Sequence, residues 1–273
     1  MDTNLFLIDS HVHIHKCFDI EEYLNFTFKN FSNSACKIDN SVSWVGVLLL
    51  TEIKGINFFN SLLNSFNKKN PNDYNKIRTE EEGSFIIQNR SRHKVIVVSG
   101  RQLITKGGIE LLALCTTKDF TELEDLEKTI HNINKADAIP VIPWGFGKWV
   151  GEKKKIINKL IHVNKDINFF LGDNSGRPSF WFEPYIFKLG KSRNRLILPG
   201  TDALPISSEV SKTGSYGFYL KTELNLSKPS EGLKKVLSDL NESPLTFGKL
   251  ENPVKFLRNQ LTMQLNKRLN LQA

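Results

Sequence analysis

Short apolar runs alternate with amphipathic stretches along most of this chain. Leu5–Asp9, Ser43–Thr51, Ile139–Pro143, Asn168–Leu171 and Arg195–Leu198 are compact and apolar, as strands covered on both faces should be. Between them, residues 21–31, 56–66, 150–163 and 184–189 carry apolar positions at helical spacing. Thr121-Glu122-Leu123-Glu124 has the form of a capping box. It predicts a helix with Leu123, Leu126, Ile130 and Ile133 on one stripe. Residues 231–240 predict another helix. Asn252-Pro253 predicts the start of a last one, with the stripe Val254, Leu257, Leu261 and Leu265. Ser32–Ser43 is polar and reads as a loop, as does 67–73.

One region interrupts the alternation. Ser84–Gln88 and Lys94–Val98 read as two strands joined by a basic turn, and Ile109–Leu114 as a third beyond Gly107-Gly108. We expect this to be a small β-hairpin decoration. Gly217–Lys221 reads as a last strand or an edge. Strands alternating with helices imply βα units. The expected architecture is one α/β domain over residues 1–273, a TIM-like (β/α) barrel of seven strands or irregular form. Its chemistry would sit on the loops after the strands. No GxGxxG or Walker sequence follows the first strand, which argues against a nucleotide-binding doubly wound sheet.

Composition changes this picture little. The net charge of +8 arises mostly from scattered lysines. The densest run, Lys153-Lys154-Lys155, falls in a helix and reads as a solvated face, so no nucleic-acid partner is expected. Three widely spaced cysteines form no CxxC pair and point to a reducing compartment. With no signal peptide and no membrane-length apolar run, a cytoplasmic protein is expected. The oligomeric state is left open.

The candidate chemistry lies at the strand ends. Asp9-Ser10-His11-Val12-His13-Ile14-His15 follows the first strand and holds three of the six histidines. Side chains alternate faces along a strand, so His11 and His13 point the same way and suit one metal ion. The other ends supply Glu52, then Arg101 and Gln102, then Trp144 and Lys148, then Asp173, Asn174 and Arg177, and last Asp202. Two histidines with carboxylates make a nitrogen-and-oxygen set for a divalent metal, zinc first, with manganese or iron as alternatives. The expected ligands are His11, His13, Glu52 and Asp202, with Asp202 and Asp173 as catalytic groups. Arg101, Gln102, Trp144, Lys148, Asn174 and Arg177 would form the wall for a small anionic substrate.

These residues resemble a known family. Asp9–His15 is similar to the opening motif of metal-dependent barrel hydrolases, both the polymerase and histidinol phosphatase (PHP) superfamily and the amidohydrolases. Val47–Glu52, Val95–Leu114, Ile139–Trp144, Phe169–Asn174 and Leu198–Pro205 resemble the later PHP motifs in order. The resemblance implies a metal-dependent hydrolase of a phosphoester, ester or amide. It matches His11, His13 and Asp202 to metal ligands. It breaks elsewhere: Ile53, Gln102, Pro143-Trp144 and Leu204 stand where the PHP pattern has further ligands. A full trinuclear site cannot be assembled from these residues. The thinned set also fits a catalytically inactive scaffold that binds a ligand or a partner.

Overall fold

A computed structural model describes residues 4–65, 74–163 and 167–268. The strands are β1 (Asn4–Val12), β2 (Trp44–Leu50), β3 (Tyr74–Arg78), β4 (Ser84–Asn89), β5 (Lys94–Val98), β6 (Gly100–Ile104), β7 (Glu110–Leu114), β8 (Ile139–Pro143), β9 (Phe170–Asn174), β10 (Ile197–Gly200), β11 (Gly217–Thr222) and β12 (Leu245–Phe247). The helices are α1 (Ile20–Ile38), α2 (Phe58–Ser65), α3 (Leu126–Lys135), α4 (Gly151–Val163), α5 (Tyr185–Lys191), α6 (Pro229–Ser238) and α7 (Pro253–Arg268), with a 3-10 helix at Ser207–Lys212. Among the described residues, no helix is long and apolar enough to cross a membrane.

The closed barrel expected from the sequence does not form. The strands make two open, mixed sheets, in the orders β12-β11-β1-β2-β5-β4-β3 and β10-β9-β8-β7-β6. A (β/α) barrel needs every neighbour parallel. Among the described residues only β1-β2-β5 and β8-β9-β10 run parallel in the sheets, and antiparallel pairs flank both groups. The supposed decoration is part of this framework: β4 and β5 lie inside the larger sheet, with β3 beyond β4 as its edge. Gly100–Ile104 forms a further strand whose hairpin with β7 turns at Gly107-Gly108.

The sheets meet at two seams. At one, the Asp202 N–H donates to the His11 carbonyl at 2.8 Å and Ser10 Oγ donates to the Pro199 carbonyl at 2.9 Å. At the other, Glu52 forms an isolated bridge to Arg101. A shared core fills the space between, with Phe6, Ile8, Val47 and Val98 from one sheet against Leu112, Val141 and Leu198 from the other. The outer faces are covered separately. Tyr23, Phe28 and Phe31 of α1 pack on the larger sheet, and Ile130, Ile157 and Phe187 of α3, α4 and α5 pack on the smaller. Complete burial of such side chains stabilises each by about 1.5–3 kcal/mol.

Three local expectations are corrected. Helix α1 starts at Asp19, whose carboxylate accepts from the Glu22 N–H at 2.9 Å, and runs on through the polar stretch to Ile38 because Ala35 turns inward. The Thr121 capping box is unused: α3 begins at Leu126, while Leu123 is exposed at φ 62°. In α7 the predicted stripe Val254, Leu257, Leu261 and Leu265 faces solvent, and Phe256 and Asn259 are buried instead. Polar anchoring sets that orientation. Asn259 Nδ2 donates to Glu209 Oε1 at 3.0 Å, and Lys255 pairs with the same carboxylate at 3.0 Å.

Candidate metal centre

The end of β1, the segment after β10 and the start of β6 converge on one point. His11 lies in the buried run of β1 that ends at Val12, and His13 lies just beyond the strand. The pairing of β1 with β2 shifts register between Asp9 and Val12, and Thr51 caps the irregularity by donating its N–H and hydroxyl to the Val12 carbonyl. On the facing chain, Asp202 follows β10 with φ 47°, a left-handed conformation that Asp tolerates better than most residues. That backbone turn aims its carboxylate at the histidines. Gly200 permits the close approach: a Cβ there would lie 2.3 Å from the His11 main-chain nitrogen.

The three side chains come together. His11 Nε2 and His13 Nε2 are 3.1 Å apart, and each lies 3.5 Å from Asp202 Oδ1. All three ligand atoms fall within 4.8 Å of one another. Ligands about 2.1 Å from a tetrahedral metal sit roughly 3.4 Å apart, so these spacings suit three corners of one coordination shell. The electrostatics agree with that donor set. Burial, then the neighbouring His11, pushes His13 down to about 3, so it is a neutral imidazole with a lone pair. Burial alone would raise the Asp202 carboxyl. His11 and His13, then Lys148 and Lys212, outweigh it and hold the group below the ordinary carboxylate range, ionised. The residues present fit a divalent ion.

The other expected residues divide into neighbours and bystanders. Asn174 Nδ2 donates to Asp202 Oδ2 at 2.7 Å and to the Trp144 carbonyl at 2.9 Å, fixing the carboxylate. Gln102 Oε1 lies 3.3 Å from His11 Nε2. Lys148, 2.5 Å from Glu110, lines a cavity that also holds Asn174 and Asp202. Trp144 is buried in the wall of that cavity and stands edge-on to Trp181.

Glu52 lies outside the cluster of three. Its carboxylate accepts from the Phe59 N–H at 2.7 Å and pairs with Arg101 at 3.1 Å, and burial raises its pKa despite both contacts. Arg101 is bound in turn to the exposed Asp119 at 2.7 Å. Asp173 and Arg177 form a buried two-pronged pair at 2.9 and 2.7 Å, and the Tyr216 hydroxyl donates to the same carboxylate at 3.0 Å. Glu52 thus pairs with Arg101 and Asp173 with Arg177, and none of the four belongs to the three-residue cluster.

Two residues near the centre lie outside the expected site set, although His15 belongs to the opening histidine motif. His15 contacts the Ala203 carbonyl through Nε2 at 2.8 Å and lines a second cavity of about 200 Å³ with His13, Glu52 and Gln102. Lys212, in the 3-10 helix, is buried between Glu209 and Glu251 at 3.2 Å from each. No strand end or motif marks Lys212, and only the folded chain brings it near Asp202.

No protein-family profile matches the chain, and no curated protein shows significant sequence similarity to it. Among solved structures it is similar to PsfC from Pseudomonas syringae PB-5123, with TM-score 0.53 and 11% identity over the whole of both chains. At that identity the likeness is one of fold. The lesion-specific endonuclease PfuEndoQ from Pyrococcus furiosus aligns with 85% of this chain and 56% of its own length, at TM-score 0.47 and 15% identity. That likeness is too slight to assign any property.

Proposed function

We propose that the chain is a metal-dependent hydrolase of a small anionic substrate, with one divalent ion held by His11, His13 and Asp202. The convergence of those three donor atoms carries the reading. Zinc is the first choice for two imidazoles and a carboxylate. A bound divalent ion supplies water with a pKa near 7 and polarises a carbonyl or phosphoryl oxygen. The chain's own groups do the rest. Asp202, kept ionised, is the ligand and the nearest acceptor for a proton. Asn174 fixes the carboxylate's orientation through Oδ2. Lys148, on the cavity wall beside Asp202, supplies positive charge for the substrate anion.

A second reading has its own support. Glu52 and Asp173 are tied to Arg101 and Arg177, so among the described residues one carboxylate remains at the centre. That economy suits a protein that binds a ligand without turning it over.

Elemental analysis of the purified protein, followed by panels of phosphoesters, esters and amides, separates the two. The hydrolase reading expects near-stoichiometric zinc, manganese or iron, and loss of both metal and turnover in the His11→Ala/His13→Ala double variant. Absence of metal together with no turnover on any panel supports the binding protein. Intact activity in metal-free protein overturns the hydrolase.

A further inference from the structure

Asn174 has an unused atom. Its Nδ2 donates to the Trp144 carbonyl and to Asp202 Oδ2, and both partners are acceptors only. The amide orientation is therefore fixed by its neighbours, and Oδ1 must be the remaining atom. The residue is 5% exposed, and among the described residues Oδ1 has no hydrogen-bond partner. Buried acceptors without partners are uncommon in folded proteins, and each calls for an explanation.

The surroundings supply one. Asn174 lines a cavity of about 220 Å³ that shares Asp202 with the metal cluster. A Cβ on Gly176, which lines the same cavity, would lie 3.1 Å from Asn174 Oδ1, so any side chain there would crowd that oxygen. Trp144, Phe146, Phe256 and Met263 make the apolar wall. The aromatic group extends outward. Trp181 is edge-on to Phe146 at 5.6 Å, and Phe256 meets Phe146 at 5.2 Å. Phe146 and Trp181 are 49% and 42% exposed, an unusual state for large rings beside a polar centre. Aromatic walls with a few placed polar groups are the usual make-up of a pocket for a flat ligand, and Lys148, Lys212 and Glu251 add to Asn174 here.

We propose that this cavity receives a planar ring of the substrate, and that Asn174 Oδ1 accepts a hydrogen bond from an N–H on the ring's edge. The substrate would then carry a hydrolysable group at the metal cluster and a donor-bearing ring on the α7 side. The proposal rests on the reading of that cluster as the reaction centre, because Asp202 belongs to both.

Indole and N-methylindole are suitable probes, since both present a flat ring and only indole has the N–H. Their binding is followed by ligand-observed NMR on zinc-loaded and metal-free protein, with zinc content measured on each. Indole is expected to bind at least about tenfold more tightly than N-methylindole, the effect of leaving a buried acceptor unpaired. Asn174→Ala should erase the difference. Gly176→Ala, which fills the space while leaving the hydrogen bond to Asp202 in place, should weaken indole by about tenfold at unchanged zinc content. Equal binding of the two probes, or no binding of either at millimolar concentration, overturns the proposal. Failure of the protein to hold zinc while it still prefers indole overturns the metal reading and leaves the ring pocket standing.

Discussion

The main chain of Asp202 donates to the carbonyl of His11 at 2.8 Å, and the same two residues meet again through their side chains at 3.5 Å. The backbone contact stitches one sheet to the other, and the side-chain contact builds the candidate metal centre. Gly200 lies under both. A Cβ there would come within 2.3 Å of the His11 nitrogen and 2.7 Å of its Cβ, with main chain on the near side that cannot give way. Gly200→Ala is therefore expected to force the sheets apart at this seam. Zinc content should fall well below that of the wild type, and the melting temperature should fall with it. A variant that keeps full metal occupancy would show that the seam does not position His11.

Asn174 makes a milder test of the same centre. It orients Asp202 from behind, so its removal should loosen the ligand without deleting it. Asn174→Ala is expected to lower zinc affinity by about 10–100-fold, the usual effect of losing a partner behind a ligand. Competition against a chromogenic chelator reads that change. An affinity equal to that of wild type would remove Asn174 from the account of the metal site.

Asp173 and Arg177 are expected to behave as structural residues. Both are nearly buried, bonded by two parallel contacts and joined by Tyr216. Deleting one partner strands the other charge, which costs about 3–5 kcal/mol. Arg177→Leu should lower the urea midpoint by a corresponding amount while the folded fraction still binds zinc. Unchanged stability with lost substrate binding would return Arg177 to the role its strand-end position suggested.

The sequence disclosed the two ends of the site and little of its middle. His11, His13 and Asp202 were legible because a strand alternates its side chains and because each lies at the end of an apolar run. Glu52, Asp173, Arg101 and Arg177 satisfied the same positional rule, yet they pair with one another. A strand-end position does not disclose whether a nearby opposite charge will occupy the group. The sheet arrangement failed for a related reason. The apolar runs predicted most strands correctly, including β4, β5 and β7, but a short apolar run carries no direction. Gly100–Ile104 mixes buried and partly exposed positions and was hidden between two stronger signals. The misread α7 stripe has the same origin: periodicity finds an apolar face but does not say that Asn259 and Lys255 will anchor the opposite one to Glu209.

Asp39 provides a pH test away from the site. It caps α1, and Lys221 of β11 meets its Oδ2 at 2.8 Å. Ser41 adds its hydroxyl at 2.6 Å and its N–H at 3.1 Å. The Lys221 contact, then those from Ser41, hold the carboxyl down at about 2, below the value near 3.9 expected in an unfolded chain. Between those values the unfolded chain binds more protons than the folded one. The contribution is therefore complete above about pH 4 and is lost as the pH falls toward 2. The pair is solvated, so the effect should be small and should shrink with added salt. Wild type is expected to exceed Asp39→Asn in urea midpoint by a constant margin from pH 7 to 5, and the margin should narrow as the pH falls below 4. A margin that stays flat, or that widens in acid, would mean that Lys221 and Ser41 do not stabilise the ionised carboxylate.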